Sequence, residues 1–183
     1  MSPSTEQHPG NPPREPRHVV ADLPAEHLGE LEFLWDRRAA RVHRGDDRIT
    51  HLAGLDRRIE ANLVGLELVP RVSLPLLEEA VAADEPSLAG AAALALLRIG
   101  GARAHAALQG VLEGGAPGAR SGVRSALLWG PTAGMLQALR SAAGSPDPWL
   151  AATACEALAA HGDSTPPRAL PDWLAHPEPA VRL

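Results

Sequence analysis

The chain has 183 residues, enough for one domain and a tail, and 45% of them are apolar, which is too many for a disordered protein. The apolar residues are mainly Ala, Leu and Val, with one Phe and no Tyr, and this bias predicts an all-α fold. All 17 positive residues are Arg, and the net charge is −5. The negative net charge argues against a nucleic-acid partner, because nucleic-acid binders usually carry a basic stripe.

The single cysteine, Cys155, excludes an internal disulfide and a metal site built from cysteines. The N-terminus lacks the apolar core of a signal peptide, and no apolar run is long enough to cross a membrane. We therefore expect a cytoplasmic protein with no membrane partner.

Residues 1–17 are polar and rich in proline. Such a stretch buries too little apolar surface to offset the entropy lost on ordering, so we expect a disordered tail. A proline-rich ligand for another protein is the alternative.

Residues 18–68 predict a helical hairpin. Pro24 suits the first turn of a helix, and an apolar face then recurs at steps of three and four residues: Leu28, Leu31, Trp35, Ala39 and Val42. Asp46 or Asp47 can cap a second helix. The apolar face of that helix consists of Ile49, Leu52, Leu55, Ile59, Leu63 and Leu66. The connection between the two helices is short, which predicts antiparallel packing.

Residues 69–183 carry a repeat. Four prolines follow one another at intervals of 31 residues: Pro86, Pro117, Pro148 and Pro179. The same shift aligns three further columns: Ala95, Ala126 and Ala157; Leu96, Leu127 and Leu158; and Leu108, Leu139 and Leu170. A fixed period of this size predicts stacked helix pairs with a break near Gly100 or Gly162. The units lie at about 86–116, 117–147 and 148–178, with the start of another at 179.

Short motifs at the repeat turns resemble those of a known repeat class, the bacterial HEAT repeat. They are Asp84-Glu85-Pro86, Pro146-Asp147-Pro148, Pro177-Glu178-Pro179, the following Val181-Arg182, and His161-Gly162-Asp163, together with the Ala-Leu pairs. The resemblance implies an α-α superhelix, a short HEAT-like solenoid preceded by the hairpin, whose second helices line the concave face.

Two segments of the hairpin are similar to the N-terminal signature of an uncharacterised bacterial HEAT-repeat family. They run from Phe33 to Arg38 and from Leu55 to Leu66. Some members of that family lie near type VI secretion genes, which implies a secretion-linked setting.

A repeat array of this kind predicts a non-enzymatic protein–protein interaction scaffold or adaptor. A bilin-lyase-like HEAT enzyme or cofactor-binding protein is the alternative. HEAT hydroxylases bind iron through His-Glu dipeptides, and this chain has none, so that resemblance fails. We expect no catalytic residue, no metal and no cofactor.

The candidate partner contacts fall into three groups. The hairpin contributes Arg37, Arg38, Arg41, Arg57 and Arg58, which lie in the matched segments; as an alternative, these charges are solvated or form local ion pairs. The second helices contribute Arg103, Gln137 and Arg140, and the end of the array contributes Trp173.

The chain stops at Leu183, five residues into a further unit. It is either a fragment of a longer protein or a short protein whose open end docks on a partner or on itself. In either case we expect Leu158, Trp173 and Leu174 to leave apolar surface partly uncovered.

Two further features have a chemical and a plain interpretation. His43, Asp46, Asp47 and His51 could converge on a metal ion; in the plain interpretation the aspartates cap a helix and the histidines are solvated. Cys155 could be a nucleophile, but we interpret it as a small core residue.

We predict that units 117–147 and 148–178 are more mobile than residues 24–112. In unit 117–147, each interior glycine costs a helix about 1 kcal/mol. In unit 148–178, Pro166, Pro167 and Pro171 shorten the second helix. Amide hydrogen exchange should be faster in these two units, and uniform protection along the chain would contradict the prediction.

Overall fold

A computed structural model of the chain describes residues 22–44, 49–130, 133–163 and 175. These ranges contain eight α-helices and one 3-10 turn, and no strand occurs in them, so the all-α prediction is confirmed. The helices are α1 (Leu23–Arg44), α2 (Ile49–Glu67), α3 (Pro70–Val81), α4 (Pro86–Ile99), α5 (Gly101–Gly114), α6 (Pro117–Trp129), α7 (Leu136–Ala142) and α8 (Pro148–Ala160); the 3-10 turn is Ala133–Met135. The predicted tail, 1–17, and the unit starting at 179 lie outside the described residues.

The predicted hairpin is present as α1 and α2. His27, near the start of α1, bonds through Nδ1 to Oδ1 of Asn62 late in α2, at 2.9 Å. Farther along α1, Arg38 Nε lies 2.7 Å from Oδ1 of Asp56, earlier in α2. The two helices therefore run antiparallel, as predicted. Their predicted apolar faces are largely buried, at Leu28, Leu31, Trp35, Leu55, Ile59, Leu63 and Leu66.

The predicted face of α1 is wrong at its far end, because Ala39 and Val42 are exposed. The residue that continues the buried stripe beyond Trp35 is Arg38. Its guanidinium carbon lies 4.6 Å from the centroid of the Trp129 ring on α6, and its Nε pairs with Asp56. A cation over an aromatic ring thus replaces the apolar contact that the spacing predicted.

The 31-residue period appears in the helices themselves. Helices α4, α6 and α8 each begin at a proline of the series, where the fixed φ angle suits the first helical turn. The aligned alanines and leucines are buried: Ala95, Ala126, Ala157, Leu96, Leu127, Leu158, Leu108 and Leu139. The described part of the array is therefore helical and repeat-like.

The predicted breaks after the first helices occur at glycines with positive φ angles. Gly100 (φ 68°) separates α4 from α5, Gly101 (φ 85°) is the first residue of α5, and Gly162 (φ 84°) follows α8. Glycine adopts positive φ angles without the steric cost that a Cβ atom imposes on other residues. The predicted second helix of the last unit, near 171–176, lies outside the described residues except for Ala175.

Helices α4 and α6 approach each other closely at Gly122. A Cβ atom built there would lie 2.6 Å from both the backbone N of Gly90 and the backbone O of Pro86. We expected Gly122 only to weaken its helix, but the structure gives it a packing role, since no larger residue fits between the two backbones. Gly90 is restricted by a different neighbour, because a Cβ built on it would lie 2.6 Å from Nε1 of Trp35.

Aromatic side chains join the hairpin to the repeats. Trp35 is 8% exposed, which confirms its prediction as a core residue. Its ring packs edge-on against Trp129 of α6, with centroids 5.4 Å apart and an interplanar angle of 66°. This geometry is one that aromatic pairs prefer, and it ties α1 directly to the second unit.

Asp147 caps α8 and links it to α6. Its Oδ1 accepts from the backbone N–H of Trp149 at 2.9 Å, and its Oδ2 accepts from Nη2 of Arg120 at 2.7 Å. Burial alone would raise the pKa of Asp147, but the hydrogen bonds from Arg120 and from the backbone N–H groups of Leu150 and Trp149 outweigh it and lower that pKa below its ordinary value.

Replacing Gly122 with alanine should destabilise the protein. The new Cβ would overlap backbone atoms of α4, and overpacking of this kind typically costs about 1–3 kcal/mol despite the better helix propensity of alanine. Gly110→Ala is the matched control, because Gly110 is exposed in α5 and nothing lies within 4 Å of its added Cβ. Chemical denaturation should show a lower free energy of unfolding for Gly122→Ala and a free energy higher by up to about 1 kcal/mol for Gly110→Ala. An increase for both variants would contradict the close contact between α4 and α6.

Replacing Asp147 with alanine should lower the free energy of unfolding by about 1 kcal/mol at neutral pH, the usual cost of losing an N-cap. Because the pKa of Asp147 is lower in the folded than in the unfolded chain, its ionic contribution is present above the unfolded pKa of about 3.9 and disappears as the pH falls through the folded pKa. Denaturation should show a smaller difference in unfolding free energy between the wild type and Asp147→Ala at pH 3 than at pH 7. Asp147→Asn keeps a capping oxygen, so its unfolding free energy should fall less at pH 7. Equal falls for the two variants would disprove the cap.

Candidate functional site

The five predicted hairpin arginines do not act together. Arg38 is half-buried between Trp129 and Asp56, where it holds helices together. Arg57 donates from Nε to the backbone O of Ala53 in its own helix, at 3.3 Å. The other three, Arg37, Arg41 and Arg58, line one groove and therefore lie on a shared surface.

This basic groove lies between α1 and α2 and has a volume of about 430 Å³. Its lining residues are Arg37, Arg41, His51, Gly54, Leu55 and Arg58. They bring three guanidinium groups and one imidazole together, and none of these lining residues carries a carboxylate. Leu55 is buried and supplies an apolar part of the wall.

Helical spacing explains how the sequence builds the basic groove. Arg37 and Arg41 are four residues apart and therefore share one face of α1. His51, Leu55 and Arg58 share a face of α2 for the same reason, and the antiparallel pairing sets the two faces beside each other. Gly54 leaves the α2 wall open, since nothing lies within 4 Å of a Cβ built on it.

The charges of the basic groove have neighbours inside the chain. Arg58 donates from Nη2 to Oε1 of Glu30 on α1. The guanidinium carbon of Arg37 lies 5.8 Å from the centroid of the Phe33 ring, one turn earlier. Arg41 and His51 also have partners within the chain. These contacts orient the side chains around the opening.

A second groove lies between α5 and α7 and has a volume of about 620 Å³. Its apolar lining consists of Leu112, Met135, Ala138, Leu139, Ala142 and Leu150, and its polar lining of Gln109, Glu113, Gln137, Ser141 and Ser145, with Gly134 between them. Leu112, Met135, Leu139 and Leu150 are buried, whereas Gln109, Glu113, Gln137 and Ser141 are exposed. The α5–α7 groove therefore combines an apolar floor with a polar rim.

Of the three residues predicted on the second helices, only Gln137 lines this groove. Arg103 forms a two-pronged ion pair with Glu78 of α3, Nε to Oε1 at 2.5 Å and Nη2 to Oε2 at 2.7 Å. That hydrogen bond lowers the pKa of Glu78. Arg140 Nε lies 3.1 Å from Oδ2 of Asp163. Both arginines thus have carboxylate partners within the chain.

The predicted apolar surface at the end of the array is wrong for Leu158. This side chain is only 7% exposed and belongs to the main core, because α8 packs on both α6 and α7. Trp173 and Leu174 lie outside the described residues.

The structure describes only part of the predicted metal site, since Asp46, Asp47 and the side chain of His43 lie outside the described residues. Its fourth member, His51, lines the basic groove. Within 22–44, 49–130 and 133–163, no three His, Cys, Asp or Glu side chains converge as metal ligands would.

Cys155 is half-buried on α8 and packs beside Ala151 and Ala152. Burial raises the pKa of its thiol, so the thiol stays protonated at neutral pH. The thiolate is the nucleophilic form, which makes this position poorly suited to nucleophilic chemistry.

Gln137 is the one residue of the α5–α7 groove that the sequence predicted as a partner contact; the other lining residues were missed. The available signal was a stripe of small residues at helical spacing, Ala138, Ser141, Ala142 and Ser145, which leaves room above the floor. The floor itself comes from four separate elements (α5, the 3-10 turn, α7 and α8), and only packing brings them together.

Among the helices that the structure describes, none is both long and apolar enough to cross a membrane. No protein-family model, curated protein or solved structure matches this chain.

Proposed function

We propose that this protein is a non-enzymatic interaction scaffold or adaptor that holds a segment of a partner protein in the α5–α7 groove. The observation that supports the proposal is the lining of the groove, an apolar floor bordered by amides, hydroxyls and one carboxylate. Protein interfaces commonly have this arrangement of an apolar centre and a polar rim.

The floor of the groove can accept an apolar side chain. Leu112, Met135 and Leu139 are buried and form its base. Ala138 and Ala142 are half-buried above them, and their short side chains leave apolar surface that a partner can cover. Burying a partner's apolar side chain here would supply about 1.5–3 kcal/mol.

The bound segment should be an amphipathic helix rather than an extended strand. The groove is lined by helices, and the side of a helix presents no row of alternating N–H and C=O groups with which an extended peptide could form a ladder of hydrogen bonds. A helix satisfies its own backbone and needs only an apolar face. The exposed amides of Gln109 and Gln137 can then bond to polar side chains at the edge of that face.

The cellular setting is part of the same proposal. We infer a cytoplasmic adaptor of a bacterial secretion locus that is built as a HEAT-like solenoid. This part rests on the resemblance of the hairpin segments and repeat turns described above.

Peptide selection on the full chain tests the binding proposal. Random-sequence peptides displayed on phage should yield binders with apolar residues at helical spacing. Ser141→Trp fills the groove and should weaken the Kd of the selected peptides at least about tenfold, which corresponds to about 1.4 kcal/mol. Ser125→Trp is the matched control, because Ser125 is an exposed serine of α6 that does not line the groove.

Three outcomes would count against this function. One is a selection that yields no binder, and another is a set of binders that Ser141→Trp and Ser125→Trp affect equally. The third is a purified protein that absorbs visible light because it carries a tetrapyrrole, which would support the bilin-lyase-like alternative instead.

A further inference from the structure

We propose that the basic groove is a second, separate binding site, and that it takes an acidic segment of a partner protein through the carboxylates of Asp and Glu side chains. It lies between α1 and α2, whereas the proposed scaffold site lies between α5 and α7. The inference therefore stands independently of the α5–α7 groove.

The charges of the basic groove suit carboxylates. Arg37 and Arg41 approach from α1 and Arg58 from α2, so the cationic groups stand on both sides of one opening. A guanidinium presents five N–H donors in a planar fork that matches the two oxygens of a carboxylate. Such charge-assisted hydrogen bonds are shorter and stronger than neutral ones.

Arg37 and Arg58 keep donors for a ligand despite their contacts within the chain. Arg58 uses Nη2 for Glu30, which leaves the donors on its other nitrogens. Arg37 lies over the face of Phe33, and stacking on a ring face occupies none of the in-plane N–H groups. The side chain of Arg58 is 58% exposed, so both partners of a new ion pair would remain at the surface.

A protein segment fits this site better than a nucleic acid does. The chain as a whole carries a net charge of −5, which repels an extended polyanion over the Debye length of about 8 Å at physiological salt. A short acidic segment needs only local contacts. Phe33, which is 52% exposed beside Arg37, offers an apolar contact that such a segment can use with a Leu or Ile side chain.

Gly54 allows the charge of the groove to be changed without disturbing the packing. It lies inside α2 and lines the groove, and a Cβ added to it would meet nothing within 4 Å. Gly54→Glu therefore places a carboxylate among the arginines. Gly54→Gln adds a side chain of the same size without charge and is the matched control. Both variants should fold, because Glu and Gln favour a helix more than Gly does.

The experiment measures the binding of a fluorescein-labelled peptide of alternating Glu and Leu residues to the full chain by fluorescence anisotropy. Gly54→Glu should weaken binding about fivefold, the affinity that one exposed ion pair contributes at most, because the new carboxylate competes for the arginines. Gly54→Gln adds the same bulk without the charge and should weaken binding less than Gly54→Glu does. Arg37→Gln should also weaken binding. Arg71→Gln removes an exposed arginine of α3 outside the groove and should change nothing.

The inference fails if the peptide does not bind the wild type, if Gly54→Glu and Gly54→Gln behave alike, or if a single-stranded polyuridine probe binds the groove more tightly than the peptide does. Ser141→Trp distinguishes the two proposals. It should leave binding of the acidic peptide unchanged, so either site can fail without the other.

Discussion

The close contact between α4 and α6 is the constraint on which the packing of this protein depends. Helix α4 is buried at every position from Ala89 to Leu97, and its small side chains let neighbouring helices approach on all sides. Gly122 brings the α6 backbone against Gly90 and Pro86, where a single added Cβ would collide. Dispersion contacts at such short range are numerous, and they are lost outright when a helix is pushed away.

Ion pairs between helices follow from that packing rather than causing it. Arg98 of α4 reaches Glu60 and Glu67 of α2, and Arg124 of α6 pairs with Glu156 of α8 at 2.6 Å. Exposed pairs of this kind contribute at most about 1 kcal/mol each, because water screens them. They add little to the stability of the packed helices.

Sequence patterns predicted the parts of this structure that depend on period. The prolines at 86, 117 and 148 begin helices, and the Ala and Leu columns are buried, because these features repeat along the chain. Features that depend on contacts between distant residues were missed. Nothing in the local spacing shows that Trp129 covers Arg38, that Gly122 faces Pro86, or that only some of the hairpin arginines share a groove.

Gly90 and Trp35 link the evolution of the two parts of the chain. A Cβ atom on Gly90 would lie 2.6 Å from Nε1 of Trp35, whereas its distance to the backbone O of Gly122 would be 3.4 Å, an ordinary contact. A larger residue at position 90 therefore requires a smaller side chain at position 35. Gly122 allows no such exchange, because its added Cβ would meet backbone atoms of α4. Divergent copies of the gene should therefore change positions 35 and 90 together and keep glycine at 122.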